Sequence, residues 1–189
     1  MASSDYMRYG GLAAMLGGVL SILFAFAGEE NPAHVPLDAA RYAFLVVGIV
    51  GVHVYLRQSE RYGRLGQVGF FICVFVFALV ALLDIGILLN EGVEQWYIAL
   101  GPVRGPLLIL GLLLFGIATL RTARLPRGGA WLLIAAAITT ILGILALIAS
   151  GGSFGAWIFI MPTVLLGLGW LWLGYGLWSA DHVAIARPR

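Results

Sequence analysis

Six long runs of apolar residues, separated by short polar connections, organise the chain. Read with a window of about 19 residues, they fall near 8–27, 39–56, 65–89, 99–120, 130–149 and 155–178. About 20 apolar residues cross the hydrocarbon core as an α-helix, because a helix satisfies its own backbone groups where no water is present. The pattern predicts an all-α polytopic membrane protein, with a single transmembrane domain over residues 1–189 and six helices in a bundle. The fourth run has a broken start, Gly101-Pro102-Val103-Arg104-Gly105-Pro106. The first ends in Ala25-Phe26-Ala27, the small-residue pattern of a secretory cleavage site, and is read here as a first helix.

The arginines give direction. Arg8, then Arg57, Arg61 and Arg64, then Arg121, Arg124 and Arg127, then Arg187 and Arg189 fall in the N-terminus, the second and fourth connections and the C-terminus. By the positive-inside rule these regions face the cytoplasm, so both termini are expected inside. The first, third and fifth connections carry Glu29, Glu30, Asp38, Glu91 and Glu94. Runs two and four end alike, Val54-Tyr55-Leu56-Arg57 and Ala118-Thr119-Leu120-Arg121, 64 residues apart. Run six ends about 60 residues later at Gly174-Tyr175-Gly176-Leu177-Trp178, which suggests three similar helical hairpins packed side by side.

Composition sharpens the class. Hydrophobic residues are 61% and charged residues 11% of 189 positions, with a mean hydropathy of +1.00, against roughly 45–50% and about 25% in soluble domains. A soluble globular fold is excluded. All 11 cationic side chains are arginine, so no lysine exists for a Schiff base to retinal or pyridoxal phosphate. Cys73 is the single cysteine, which removes intrachain disulfides, CxxC redox pairs and cysteine metal cages. No stripe of basic and aromatic residues suits nucleic acid.

The stretch Phe115-Gly116-Ile117-Ala118-Thr119-Leu120-Arg121, with Leu125-Pro126-Arg127, and the connection Leu56-Arg57-Gln58-Ser59-Glu60-Arg61-Tyr62-Gly63-Arg64-Leu65-Gly66 resemble segments of a group of small six-helix bacterial integral membrane proteins. The resemblance covers about a fifth of the chain. It implies a multi-pass protein of the bacterial cytoplasmic membrane, and it implies no activity.

Polar groups inside hydrocarbon are costly and mark the places where function can reside. Arg41 lies 16 residues from Arg57, Arg104 lies 17 from Arg121, and Asp84 lies 20 from Arg64. At 1.5 Å per helical residue these are roughly 24, 26 and 30 Å, one layer near the outer interface. Two arginines facing one carboxylate, with Asn90 nearby, suit an anionic headgroup or carboxylate; the plainer reading is arginines snorkelling and Asp84 locking the bundle. In run six, Trp170 and Trp172 among Gly167 and Gly169, with Pro162 near the middle, suggest a groove for a lipid tail, a quinone or a carotenoid. The alternative is that the glycines allow close packing and Trp170 fills the gap.

Other groups carry weaker signals. Glu29, Glu30 and His34 are close in sequence, but Pro32 keeps them off a common helical face, and no metal site is assigned. His53 is the one histidine within an apolar run, and no second histidine lies at its depth for haem. The run centres hold Ser21, Cys73, Thr139, Thr140 and Thr163, with no charged relay, and HExxH, GxSxG and P-loop motifs are absent. The sequence therefore reads as a non-catalytic membrane module in contact with the bilayer. Its expected role is a subunit of a larger assembly, with partner membrane chains or further copies of itself, or a binder of a lipid-like molecule. A small-solute transporter or channel is the alternative, and a lipid-modifying enzyme using the outer carboxylates is a third reading.

Overall fold

A computed structural model of the chain describes residues 2–27, 31–89, 91–150 and 156–185. Six helices carry the fold: α1 (Ala2–Ala27), α2 (His34–Leu56), α3 (Gly63–Leu89), α4 (Glu94–Thr122), α5 (Arg127–Ala149) and α6 (Ile160–Ile185). Short 3-10 turns at Glu60–Tyr62, Glu91–Val93 and Ala156–Phe159 precede α3, α4 and α6. All six helices are long and apolar enough to cross a membrane, so the chain is a multi-pass integral membrane protein.

Of the helix starts that differ from the apolar runs, those of α2, α4 and α6 bear on the polar residues. α2 begins at His34, five residues before its run, because the Asn31 side chain accepts from the Ala33 amide at 2.9 Å and the Asn31 carbonyl accepts from His34 N at 2.8 Å, turning the chain into helix. α4 begins at Glu94 and continues through Pro102 and Pro106, although each proline removes the bond to the carbonyl four residues back. α6 begins at Ile160, so Pro162 sits in its first turn, where a missing N–H costs nothing.

The helices form a closed ring in chain order. Each packs against the next, and α6 returns to pack along α1. Glycines set the closest approaches. A Cβ added at Gly10 would stand 2.6 Å from Gly51 Cα, and one at Gly48 would stand 2.7 Å from Ala14 Cα, so α1 and α2 meet almost backbone to backbone. On another face of α1, Gly18 meets the Gly167 carbonyl of α6 at the same 2.6 Å spacing. The small residues of α1 are thus divided between two neighbours within the bundle.

The centre is aromatic. Trp170 of α6 is fully buried, with its ring centroid 6.2 Å from Phe77 of α3 and 5.9 Å from Phe115 of α4. Phe71, Phe75, Leu82, Leu142 and Ile148 point outward, the arrangement expected where lipid rather than water surrounds the bundle. At the end that carries the arginine-rich connections, Tyr62 and Leu125 are buried, and Pro126 packs on Gly176. There Arg124 donates to Gln58 at 3.3 Å, joining the two connections.

Candidate functional site

The end of the bundle opposite those connections holds a buried charged cluster. Arg41 and Asp38 of α2 are 6% and 3% exposed, and Asp84 of α3 is 2% exposed. Arg41 Nε donates to Asp38 Oδ1, one helical turn away, and its Nη2 donates to the Tyr42 hydroxyl at 3.2 Å. Its guanidinium also lies over the Phe24 ring of α1, 3.7 Å from the centroid. Arg41 therefore has a carboxylate, a hydroxyl and an aromatic face as partners.

Arg104 of α4 reaches the same cluster. Its guanidinium lies 3.7 Å from the Tyr97 ring centroid, about two turns back on the helix. Asp38, Arg41 and Arg104 are the charged groups whose fields act on the Asp84 carboxyl. Asp84 Oδ2 and Arg104 Nη1 are nevertheless buried without a hydrogen-bond partner among the described residues. Burying such atoms unpaired is expensive, and each calls for a complementary group.

The structure thus places Arg41, Asp84 and Arg104 together and adds a fourth member. With Asp38 the formal count becomes two arginines and two carboxyl groups. Asp38 reads as a connection residue only while α2 is taken to start at residue 39. Its spacing of three from Arg41 was the available signal. Tyr42, Phe24 and Tyr97 carried no signal of their own, because an aromatic ring in an apolar run does not stand out.

Beside this cluster a cavity of about 160 Å³ opens between α4, α5 and α6, walled by Leu108, Ile109, Leu112 and Leu166 and reaching Arg41 and Tyr42. Pro162 and Gly105 also line it. Thr140 and Thr163 are in its wall, but their hydroxyls donate to the carbonyls of Ala136 and Phe159 at 2.7 Å, four residues back on the chain. The Tyr42 hydroxyl accepts from Arg41 and keeps its own proton for an acceptor. A second cleft of about 100 Å³, between α3 and α4, is lined by Phe75, Val76, Leu79, Val103, Arg104 and Leu107.

Four of the groove residues of α6, Pro162, Gly167, Trp170 and Trp172, part company. Pro162 lines the large cavity, Gly167 packs against Gly18 and Ile22 of α1, Trp170 is in the central core, and Trp172 is half-exposed on the bundle surface against Gly128. They do not form one groove. Gly167 is used for close helix approach, and a Cβ there would stand 2.6 Å from the Gly18 carbonyl. The Trp170 Nε1 proton has no acceptor among the described residues.

The remaining candidates have local partners. Ser21 donates to Gly17 O and Thr139 to Ala135 O, both at 2.8 Å, so these mid-span hydroxyls are held within their own helices. His53 stacks on Phe70 with centroids 3.7 Å apart. Its Nδ1 is 2.9 Å from the Tyr62 hydroxyl, which itself donates to the Gly66 carbonyl at 2.9 Å, so Nδ1 supplies the proton between them. His34 starts α2 with its ring 4.4 Å from Phe24, and Glu94 is exposed in the first turn of α4. Glu29, Glu30 and Asn90, and the side chains of Glu91 and Trp157, lie outside the described residues. Among the described residues no group of three or more His, Cys, Asp or Glu is placed to hold a metal ion. The chain matches no protein-family model, no curated protein and no solved structure.

Proposed function

We propose that the protein binds a lipid-like amphiphile, holding its polar end at Arg41 and Tyr42 and its apolar part in the cavity between α4, α5 and α6. The observation that carries this reading is the cavity itself: hydrocarbon walls from three helices, with a buried arginine and a free hydroxyl proton at one side. Its volume of about 160 Å³ is below the roughly 300 Å³ at which pockets enclose a whole drug-sized ligand. That favours an elongated molecule of which only a segment lies inside.

The glycines of α4 support the same reading. Most glycines in the bundle face a neighbouring helix within 4 Å, whereas a Cβ added at Gly101 or Gly105 would meet nothing. Gly105 borders the cavity, so this stretch of α4 is left open on the side where a ligand would lie. Both termini are placed in the cytoplasm on the arginine distribution, which puts the cluster toward the outer leaflet.

The test is lipid extraction and mass spectrometry of protein purified gently from its own membranes, with an absorption spectrum of the same sample. A stoichiometric lipid, quinone or carotenoid is the expected result. Protein that carries no such molecule in stoichiometric amount overturns the reading.

A further inference from the structure

The large cavity is polar at one level and hydrocarbon below it. Its polar lining side chains are Arg41 and Tyr42 of α2, Thr140 of α5 and Thr163 of α6. Arg41 lies 16 residues from Arg57 and Thr140 lies 13 from Arg127, so at 1.5 Å per residue they stand roughly 24 and 20 Å from the arginine-rich end. Thr163, in the first turn of α6, is at the same end of the bundle as Arg41. Leu112 and Ala136 are each nine residues from Arg121 and Arg127, about 14 Å from that end, and the wall there is hydrocarbon.

The polar groups divide into donors and acceptors. Tyr42 accepts from Arg41 Nη2 and has its own proton left to donate. Thr140 and Thr163 have each given their single proton to a carbonyl, of Ala136 and of Phe159, so toward a ligand their oxygens can only accept. Arg41, the one charged side chain of the wall among the described residues, is ion-paired with Asp38. A complementary polar end therefore offers an acceptor to Tyr42, hydroxyl donors to the two threonines, and no net charge. Carboxylates, phosphodiesters and quinones only accept, and they leave both threonine oxygens without a donor. An anion would also enter a buried wall whose one cation already has its counter-charge.

From this arrangement we infer that the cavity takes a neutral single-chain lipid with hydroxyl groups beside an ester, of the monoacylglycerol class. The Tyr42 hydroxyl donates to the ester carbonyl, the glycerol hydroxyls donate to Thr140 Oγ1 and Thr163 Oγ1, and the first part of the acyl chain lies along Leu108, Leu112 and Ala136. With about 160 Å³ for head and chain together, a second chain has no room. The inference rests on the amphiphile reading and names the chemical class of that amphiphile.

The experiment titrates delipidated protein, in an amine-oxide detergent that carries no hydroxyl, with monooleoylglycerol, methyl oleate or oleate, reading bound lipid by native mass spectrometry. The three probes share one chain and differ in what the head can donate. Monooleoylglycerol is expected to bind at least tenfold more tightly than the other two. The double variant Thr140→Val with Thr163→Val is expected to bring monooleoylglycerol down to the level of methyl oleate while leaving methyl oleate unchanged. Tyr42→Phe is expected to weaken both esters alike. Methyl oleate or oleate binding as tightly as monooleoylglycerol, or a double variant that keeps the preference, overturns the inference. The comparison of probes uses wild-type protein, so it decides the matter even if a variant does not fold. Binding without preference sinks this inference alone, whereas failure of all three probes to bind sinks the amphiphile reading with it.

Discussion

At the scale of single residues, the charged layer holds two carboxylates in unlike situations. Asp38 is the buried partner of Arg41, while Asp84 Oδ2 has no partner among the described residues. Removing one member of a buried pair strands the other, at a cost of about 3–5 kcal/mol. Asp38→Ala should therefore lower the stability of the detergent-solubilised protein by about that amount in thermal unfolding. Asp84→Asn should cost less than Asp38→Ala, because it removes no observed hydrogen bond of Oδ2; an equal or larger loss would show that Asp84 is a structural lock. Arg41, Asp84 and Arg104 were legible as one layer from the helical rise and their distances along the chain from the arginine-rich connections. Asp38 was not, because its place in α2 depends on an Asn31 turn outside the apolar run, which hydropathy does not register.

At the scale of helices, glycine has two opposite uses. In α1, α2 and α6 it lets backbones touch, as at Gly48, where a Cβ would stand 2.7 Å from Ala14 Cα. Gly48→Leu should force α1 and α2 apart and destabilise the protein by about 1–3 kcal/mol or more, the usual cost of overpacking. Thermal unfolding beside wild type checks it, and an unchanged midpoint would mean that the two helices do not meet there. In α4, Gly101 and Gly105 face open space instead. The six spans were legible from the apolar runs because hydropathy over about 19 residues reports membrane crossing directly. The ends of α2, α4 and α6 were not, since helix starts are set by turns, caps and the tolerance of proline in a first turn. Misplacing the start of α6 by five residues moved Pro162 from a first turn toward mid-helix. The groove failed for a related reason: Gly167, Trp170 and Trp172 are neighbours in sequence but point to different sides of one helix.

For the whole molecule, the closed ring makes Trp170 a hub, touching aromatic rings from α3 and α4 while its own helix packs on α1 and α5. Trp170→Ala should leave a large central void and lower stability by about 3–5 kcal/mol. A loss under about 1 kcal/mol in thermal unfolding would show that the core is not built around this ring. The ring closes everywhere with helix on helix, yet beside the charged layer it leaves the cavity that Gly105 borders. That opening is the centre of the functional account. Gly105→Leu fills it with a side chain whose Cβ meets nothing within 4 Å, so the fold should persist. The most direct measurement is native mass spectrometry of Gly105→Leu and wild-type protein taken gently from the same membranes. An amphiphile bound stoichiometrically to wild type and lost from a stably folded Gly105→Leu is the result this account predicts; equal retention by both, or no bound amphiphile in either, would contradict it.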